Sequence, residues 1–382
     1  MEPLGCTTGS VSAPEAVPVL AVYVVWHPQS DSSRGLADAI FRGLLADPEF
    51  PALRGLGIPV HFRTSVAPDE VPAPVPWGSA DRTAVFVLAD DRLVAAAPWR
   101  AYTAALEAGA GPNRRVVPVA ITDVGNLPPA LNARQAICLH EWPEAQWEAQ
   151  LINNIKNDLC CLLSPSAGKV KVFLSHAKRD GLAITSQVAR HFREVAKLDD
   201  FFDTSDIPDG GRFSDFLLAN AGSAAALLAI QTDSFGSREW CRLEVLEAKR
   251  QHVPIVVLSA VELGETRAFP YIGNVPVVRW RDESSLPAVV GALLGEVLRS
   301  RYFPRRVEAI CRHRGISPDY QVFPYPPELL TALAYRVEAL GAGRPVGRFL
   351  YPDPPLGTEE LLLLHQLDPA IDPVTPTILL AT

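Results

Sequence analysis

The amino-acid sequence predicts an α/β fold with two three-layer domains in tandem, each built on a parallel sheet, followed by a C-terminal extension. Short apolar segments rich in Val, Ile and Leu recur through the first 300 residues, as expected for strands that are buried on both faces. Between them lie amphipathic segments with apolar residues three or four positions apart, as in helices that cover a sheet. This alternation is interrupted by small residues at 164–169 and then starts again. The sequence therefore predicts two α/β domains joined by a linker.

The first predicted domain spans residues 17–163 and follows a leader, residues 1–16, of small and polar side chains. Its strands are predicted at 17–26, 58–62, 83–88, 116–122 and 136–140. Its helices are predicted around Leu36, Ile40 and Leu44, and then at 100–108 and 144–163. This succession of elements is the one that a parallel sheet covered on both faces requires.

The second predicted domain spans residues 170–300, after the linker at 164–169. Its strands are predicted at 170–174, 199–203, 224–230, 254–259 and 275–280. Polar loops follow its first two strands, at 175–181 and 205–211, and Asp180 is predicted to cap the next helix. The core face of that helix is predicted to carry Ile184, Val188, Phe192 and Val195. Further helices are predicted at 213–220, 240–251 and 286–299.

The two predicted domains share one order of elements at similar spacing. Each ends in a strand, a turn with aromatic and acidic residues, and a long helix. We therefore predict an internal duplication, which requires the same strand order in both sheets. Residues 301–382 differ from both domains because proline is frequent and apolar periodicity is confined to 329–340 and 361–367. They are predicted to form a C-terminal extension, to which the sequence assigns no fold.

The composition limits the possible partners and the compartment. The chain has 382 residues and a formal net charge of −8, which argues against direct binding of nucleic acid or of an anionic membrane. Its longest apolar runs fall short of the roughly 20 residues that span a bilayer. The six cysteines include no C-x-x-C pair, a pattern typical of free thiols in a reducing compartment. Since no basic residue precedes Arg34, a signal peptide is not expected, and the sequence predicts a cytoplasmic protein.

Most sequence motifs of catalysis are absent. There is no phosphate-binding G-x-x-x-x-G-K-[ST] loop, and the glycine-rich segment 109–111 lacks the spacing of a dinucleotide fingerprint. The H-E-x-x-H pattern of metalloproteases and the G-x-S-x-G pattern of serine hydrolases are also missing. Asp203, Asp206 and Asp209 are three residues apart, not the two of a calcium-binding loop. The sequence therefore predicts no metal site and no resident cofactor.

One carboxylate of the second domain differs from its neighbours. Residues 234–250 are predicted to form a loop that enters an amphipathic helix, where Trp240 and Glu244 are four residues apart and share a face. Glu244 has no cation at helical spacing, and such a carboxylate holds its proton more tightly than a paired one. The other two acids of the helix each have an arginine within reach: Glu239 has Arg242, and Glu247 has Arg250. From the residues alone, Glu244 is either a site carboxylate or an ordinary solvated helix residue.

Three segments of the second domain follow one another in a family-specific order. VFLSH covers the end of the first strand and the start of the loop after it, a loop with Gly and Pro follows the second strand, and SREWCRLE opens the later helix. In these segments the chain resembles the Toll/interleukin receptor (TIR) domain over residues 168–282. The matching positions are Phe173, Leu174, Ser175 and His176, then 203–211, then Ser237, Trp240, Cys241 and Glu244. The resemblance implies a flavodoxin-like fold here, with residues 17–163 as a degenerate TIR-like copy.

The resemblance also implies a function. Many TIR domains cleave NAD+ between nicotinamide and ribose, and their catalytic residue is the glutamate of the helix box, which is Glu244 here. It thus implies an NAD+ nucleosidase, with NAD+ as substrate, of the kind that bacteria use in antiviral defence. The resemblance implies substrate-binding roles for Ser175, His176, Asp203, Gly210, Arg212 and Trp240. It further implies a homo-oligomer formed through TIR domains and activated by a protein or nucleotide signal.

One carboxylate is sufficient for this chemistry. Cleavage leaves a ribose with oxocarbenium character, which a nearby carboxylate stabilises, and nicotinamide departs from a cationic pyridinium without a general acid. Other TIR domains serve only as scaffolds, so an interaction module stays open, as does a protein that binds a nucleotide signal without cleaving it. In the first domain Trp99 takes the place of Trp240, and Thr103 takes the place of Glu244. The sequence therefore predicts that the first domain lacks the catalytic acid.

Overall fold

The protein is described from a computed structural model that covers residues 17–45, 55–122, 127–165, 168–201, 224–264, 269, 272–317, 320–344 and 346–381. These residues contain two five-stranded sheets and one three-stranded sheet. Every strand pair in the three sheets is parallel. The predicted α/β class, with parallel sheets flanked by helices, is confirmed.

The first sheet has the strand order β2-β1-β3-β4-β5. Its strands are β1 (Leu20–Trp26), β2 (Val60–Arg63), β3 (Arg82–Ala89), β4 (Arg114–Ala120) and β5 (Ile137–Cys138). The helices around it are α1 (Asp31–Leu44), α2 (Asp91–Ala95), α3 (Ala97–Ala108) and α4 (Trp147–Leu163). All five strands lie within a few residues of their predicted positions. The apolar runs of β1, β3 and β4 are buried, as expected for inner strands of a covered sheet, whereas the edge strand β2 is partly exposed.

Alternate residues of β1 show how this sheet is covered. Val22 and Val24 belong to the apolar cluster that includes α1 and α4, whereas Tyr23 and Val25 belong to the cluster that includes α3. Successive side chains of a strand point to opposite faces, so the helices lie in two layers with the sheet between them. The first domain therefore has the predicted three layers.

The second sheet has the strand order β10-β9-β8-β6-β7. Its strands are β6 (Lys171–His176), β7 (Asp199–Phe201), β8 (Ala226–Gln231), β9 (Ile255–Ser259) and β10 (Val277–Arg279). Two of its helices are α5 (Leu182–His191), which continues into a π-helical turn at Phe192–Ala196, and α6 (Glu239–Arg250). The helix predicted at 213–220 and the end of the strand predicted at 199–203 lie outside the described residues.

Both sheets place their strands in the same order. In each, the second strand is at one edge, followed by the first, third, fourth and fifth strands of that domain. This agreement is what an internal duplication requires, and it is the strand order of flavodoxin-like folds. In the second sheet, α6 packs on the face that carries Phe173, Leu227 and Ala229. The first residues of α6 therefore lie near the carboxyl end of β6.

The long helix α7 (Leu286–Arg314) closes the second domain and continues well past it. The sequence predicts that this helix ends at residue 299, and that prediction is wrong because Tyr302, Phe303 and Val307 extend its buried face. Pro304 lies inside the helix, and Gly315 ends it in a left-handed conformation with φ of 67°. The predicted boundary between residues 300 and 301 consequently falls within a single helix.

The two α/β domains pack against each other through α4 and α7. The side-chain amide of Asn153 donates to the carbonyl of Pro287 at 2.9 Å, and the Cys160 thiol contacts the carbonyl of Leu294 at 3.8 Å. Apolar side chains of both helices belong to one cluster that reaches into both sheets. The domains thus share a continuous core.

Residues after α7 form a small α/β unit that the sequence does not predict. Its strands are β11 (Tyr320–Val322), β12 (Arg348–Leu350) and β13 (Asp372–Val374), and its helices are α8 (Leu329–Gly341), α9 (Thr358–Leu367) and α10 (Pro376–Ala381). The strands pair in the order β11-β12-β13 around a core that includes Phe323, Tyr335, Phe349 and Tyr351. Phe323 also contacts His252, just beyond α6, with ring centroids 5.3 Å apart. The C-terminal unit is therefore docked on the end of α6.

Two kinds of feature are missing from the described part of the chain, namely membrane-spanning helices and clusters of metal ligands. None of its helices combines the length and the apolar character needed to cross a membrane. Its His, Cys, Asp and Glu side chains form no group of three that could hold a metal ion.

Candidate functional site

The candidate site lies where β6 ends and α6 begins. Ser175 and His176 are the last two residues of β6, because its pairing with β8 continues to His176 opposite Ile230. The sequence places both residues in the following loop, so that boundary is wrong. Their position agrees with the general rule that open parallel sheets bind ligands beyond the carboxyl ends of their strands.

Glu244 is held beneath the surface by Ser175. The Ser175 hydroxyl donates to Oε2 of Glu244 at 2.5 Å, and the two residues are 1% and 8% exposed. This contact joins β6 to α6 across 69 positions of sequence. Glu244 is therefore not a solvated helix residue, because burial of a carboxylate is costly unless hydrogen bonds compensate it. The serine fixes one carboxylate oxygen in place.

A cavity of about 450 Å³ opens above Glu244. Its lining includes His176 at the end of β6, and Trp240 and Glu244 from α6. The structure thus brings together Ser175, His176, Trp240 and Glu244, which the sequence places on two separate elements. The volume lies within the range of sites that bind small molecules and cofactors.

Three basic side chains also line this cavity, and none was among the predicted site residues. Lys178 and Arg179 follow β6, whereas Arg238 precedes the first turn of α6, and all three are exposed. No helical spacing relates them to Glu244, so the interpretation of α6 by itself missed them. Only the parallel sheet places the two segments side by side. Their positive charge lies around the cavity that contains the Glu244 carboxylate.

Trp240 is 46% exposed and lies on the cavity wall. A tryptophan that only anchors a core is normally much more buried. Trp240 is therefore a wall of the cavity as well as a residue of α6.

Glu247 does not add a free negative charge beside Glu244. Its carboxylate accepts two hydrogen bonds of 2.8 Å from Arg250 and one of 3.0 Å from Gln251. Burial raises the pKa of Glu247, but the hydrogen bonds and charge of Arg250, together with Gln251, hold it below its ordinary value. The arginine that the sequence places within reach of Glu247 is thus paired with it in the structure.

Asp180 fixes the loop after β6, but it does not cap the next helix. The N-cap of α5 is Gly181, and no side chain caps it, so the predicted role of Asp180 is wrong. The Asp180 carboxylate accepts from Thr232 Oγ1 at 2.7 Å and from the Ser234 amide at 2.9 Å. These partners follow β8, and a cap was predicted because only local neighbours are visible in the sequence. Asp180 therefore joins the two loops at the edge of the cavity.

We expect Asp180→Ala to loosen this junction in a pH-dependent way. Burial raises the pKa of Asp180, but the hydrogen bonds from Thr232 and Ser234 hold it below 3.8. A carboxyl group whose pKa is lowered in the folded state stabilises the protein above pH 3.8, and this contribution is lost as the pH falls through the lowered value. Urea unfolding should show a loss of about 0.5–1 kcal/mol at pH 7, since the group is exposed. A difference that persists undiminished at pH 3 would contradict this.

Cys241 is the one thiol that lines the cavity, and it is buried. Burial, followed by the charge of Glu244, raises its pKa to about 12. The thiolate is the nucleophilic form of cysteine, and this group is a neutral thiol near pH 7. Cys241 is therefore a packing residue behind Glu244.

We expect Cys241→Ala to retain most of any activity of this site. The change removes a buried sulfur and costs about 1 kcal/mol of stability through lost packing, but it leaves the carboxylate and its serine in place. Reaction of the native protein with iodoacetamide, followed by mass spectrometry, should leave Cys241 unmodified. Loss of activity in a Cys241→Ala protein that remains folded would show that the thiol takes part in the chemistry.

Three of the predicted substrate-binding residues lie outside the described residues. Asp203, Gly210 and Arg212 belong to the segment 202–223, and their roles stay predictions.

The residues of the first domain that the sequence matches to Trp240 and Glu244 are buried. Trp99 is completely buried in α3, and its ring centroid lies 5.5 Å from that of His27, which follows β1. Its indole nitrogen donates to the carbonyl of Pro68 at 3.2 Å. Thr103 is also completely buried, and its hydroxyl donates to the carbonyl of Arg100 within the same helix. Trp99 and Thr103, which the sequence matches to Trp240 and Glu244, are thus packed in the core.

The fold and the site define a flavodoxin-like α/β domain with a buried carboxylate beyond its first strand. Comparison with known families identifies the domain further, since residues 172–289 match the family model of the TIR domain. These residues contain β6 to β10, α6 and the start of α7. The second α/β domain of this chain is therefore a TIR domain.

Comparison of the whole chain with solved structures gives only a weak similarity. One solved structure that it resembles is the C-terminal domain of glucosamine-fructose-6-phosphate aminotransferase from Francisella tularensis. The identity is 9%, the TM-score is 0.19, and the similarity covers 76% of this chain and 85% of that chain. A search of curated proteins finds no significant match.

Proposed function

We propose that the TIR domain cleaves NAD+ at the bond between nicotinamide and ribose, with Glu244 as the catalytic carboxylate. The observation that carries this proposal is the Glu244 carboxylate, buried beside a cavity and fixed by the Ser175 hydroxyl. A preorganised negative group in a site with little water stabilises positive charge far better than one in solvent. In this reaction positive charge develops on the ribose as the bond to nicotinamide breaks, and a carboxylate stabilises it.

The reaction needs little else from the protein. The bond between ribose C1′ and the pyridinium nitrogen breaks, and its electron pair goes to the nitrogen, which leaves as neutral nicotinamide. The ribose acquires oxocarbenium character, and Glu244 stabilises it. A water molecule then adds to C1′ and loses a proton to solvent, giving ADP-ribose. An internal nucleophile of the substrate would give a cyclic product instead.

Other residues of the cavity suit the remaining parts of NAD+. The exposed ring of Trp240 offers a stacking surface for a flat base or for nicotinamide. Lys178, Arg179 and Arg238 carry positive charge on the same lining, where the diphosphate of the substrate would be attracted. His176 lines the cavity at the end of β6 and is proposed to contact the substrate.

A second candidate function is assembly without turnover. Trp240 and Leu243 are both exposed on α6, and such apolar surface suits a contact between copies of the domain. TIR domains commonly interact with one another, so the proposed enzyme would also form a homo-oligomer. A protein or nucleotide signal is proposed to trigger that assembly, in a defence role like that of bacterial NAD-cleaving TIR proteins.

The deciding experiment measures nicotinamide release from NAD+ by the purified full chain. Release should be detected by chromatography, both in dilute solution and with a crowding agent that favours assembly. Free nicotinamide with an equal amount of ADP-ribose or its cyclic form would support the enzyme. Recovery of intact NAD+ bound to the protein would favour nucleotide binding without cleavage. Absence of turnover in the dilute and in the assembled state would leave the scaffold as the function.

A further inference from the structure

Three arginines meet at the C-terminal end of α4, where the strands of the first sheet begin. Arg82 is the first residue of β3, and its Nε donates to the carbonyl of Leu162 at 3.0 Å. Arg301 of α7 donates from Nη1 to the carbonyl of Cys160 at 2.9 Å. Arg305, one turn further along α7, donates from Nη1 to the carbonyl of Arg301 at 2.5 Å. We refer to Arg82, Arg301 and Arg305 as the arginine cluster.

The arginine cluster has no acidic partner among the residues that the structure describes. None of its three side chains forms an ion pair with a described carboxylate. By contrast, Arg115 at the same end of α4 pairs with Asp158 at 2.8 Å. The two residues of the adjacent linker that lie outside the described chain, 166 and 167, are serine and alanine and bring no charge. Three positive charges therefore lie together without an ion pair to a described acid.

The guanidinium groups of the cluster repel one another. Burial, and then the charges of Arg82 and Arg301, lower the pKa of Arg305, whereas the charge of Glu308 opposes this. Glu308 is exposed and pairs with Arg312 at 2.6 Å, so it compensates little of the positive charge. All three arginines of the cluster are partly buried, where charges interact more strongly than in water. Arginine stays protonated in proteins, so loss of a proton does not relieve the repulsion.

Capping of α4 accounts for only part of this arrangement. The carbonyl groups at the C-terminal end of a helix carry about half a negative charge in total, and they attract cations. This is much less than the charge of three arginines. Each guanidinium group has five N–H donors, and the hydrogen bonds to backbone carbonyls use one donor from each. Most of the donors are therefore available to an anion that can accept several hydrogen bonds.

We propose that the arginine cluster binds a phosphate group, either as the free ion or as part of a small molecule. A phosphate monoester carries a charge of about −1.5 to −2 near pH 7, and its oxygens match the planar fork of a guanidinium group. The chain as a whole has a net charge of −8, but four arginines within residues 299–306 concentrate positive charge here. Arg82 belongs to the first domain and the other two arginines to α7, so a bound phosphate would contact both domains. This inference does not depend on NAD+ cleavage.

The test is calorimetric titration of the full chain with inorganic phosphate and with adenosine monophosphate, in a buffer of low ionic strength. We expect Arg305→Gln to weaken binding of the better probe at least about tenfold, which corresponds to the loss of one good charged contact. Arg305→Lys keeps the charge but not the planar fork, so it should lose less. Arg92→Gln is the matched control, because Arg92 is exposed and follows the carboxyl end of β3, whereas Arg82 lies at the amino end of that strand.

Each outcome of the titration bears on the proposal. Tighter binding of adenosine monophosphate would identify a phosphate ester as the ligand, and equal or tighter binding of inorganic phosphate would identify the free ion. The basic residues of the TIR cavity can also attract phosphate, so the deciding quantity is the difference between Arg305→Gln and Arg92→Gln. Equal affinity of these two variants, or absence of binding by the wild type at about 10 mM, would overturn the proposal.

A thermal unfolding measurement separates binding from a structural role. In phosphate-free buffer, Arg305→Gln should unfold at the same or a higher temperature than the wild type, because it removes one of three charges that repel one another. Addition of phosphate should raise the Tm of the wild type and of Arg92→Gln more than that of Arg305→Gln. A lower Tm of Arg305→Gln without phosphate, combined with an undiminished rise on addition, would show that Arg305 only supports the fold.

Discussion

Glu244→Gln is expected to lower the rate of nicotinamide release from NAD+ by about a thousandfold or more. The proposed reaction develops positive charge on the ribose, and a neutral amide replaces the negative group that stabilises it. The amide oxygen of glutamine can still accept the hydrogen bond that Ser175 donates to Glu244. The variant should therefore fold normally and lose the chemical step, so that kcat falls while KM changes little.

The matched control is Glu239→Gln, since Glu239 lies on the same helix but is exposed. That variant should retain nearly the full rate. Both variants should unfold within a few degrees of the wild type, which excludes misfolding as the cause of a loss. If Glu244→Gln kept more than about a tenth of the rate, the carboxylate would not be the stabilising group and the proposed mechanism would be wrong.

Much of this site could be predicted from local sequence, because it depends on two short segments. Ser175 and His176 come directly after the apolar strand that the sequence predicts at 170–174, and Trp240 and Glu244 share one face of a predicted helix. What the sequence could not predict is which residues of the two segments meet. The bond from Ser175 to Glu244 spans 69 positions, and Asp180 binds residues 52 and 54 positions away. Such contacts follow from strand order, which periodicity does not give.

The basic residues of the cavity and the C-terminal unit could not be predicted from local sequence either. Lys178, Arg179 and Arg238 are exposed residues without a motif, and only the parallel pairing of β6 with β8 brings them to one cavity. The C-terminal unit was missed because each of its strands has only three residues. A segment of that length is too short to show the alternation of a strand. Trp99 was matched to Trp240 by position, although its surroundings bury it.

A buried ion pair also joins the C-terminal unit to the helix that carries Glu244. Lys249 of α6 has a side chain that is 9% exposed, and its ammonium lies 2.5 Å from Glu328 Oε2. The other oxygen of Glu328 accepts from the Asn274 amide at 2.6 Å. Glycine is required at position 273, since φ is +68° and a Cβ there would lie 2.3 Å from the Glu328 carboxylate. One carboxylate thus connects the C-terminal unit to α6 and to the loop before β10.

Glu328→Ala is expected to reduce the free energy of unfolding by about 3 kcal/mol. Removal of one partner leaves Lys249 buried without its counter-charge, which typically costs several kcal/mol, and the Asn274 amide also loses its acceptor. Urea unfolding monitored by tryptophan fluorescence should show the loss. Glu338→Ala is a suitable control, because its pair with Arg344 is 3.3 Å long and exposed, and its removal should cost less than about 0.5 kcal/mol.

The double variant Lys249→Met with Glu328→Leu separates two contributions to stability. One is the cost of burying an unpaired charge, and the other is the stabilisation that the ion pair itself provides. Replacement of a buried ion pair by apolar side chains of similar size is often neutral, because the desolvation cost of both charges disappears. We therefore expect the double variant to recover most of the stability that either single variant loses, apart from about 1 kcal/mol for the Asn274 amide. Equal stability of the single and double variants would show that the pair contributes through its geometry and not through compensation of charge. Recovery would show that the charge of Lys249 requires the C-terminal unit to be docked on the helix that carries Glu244.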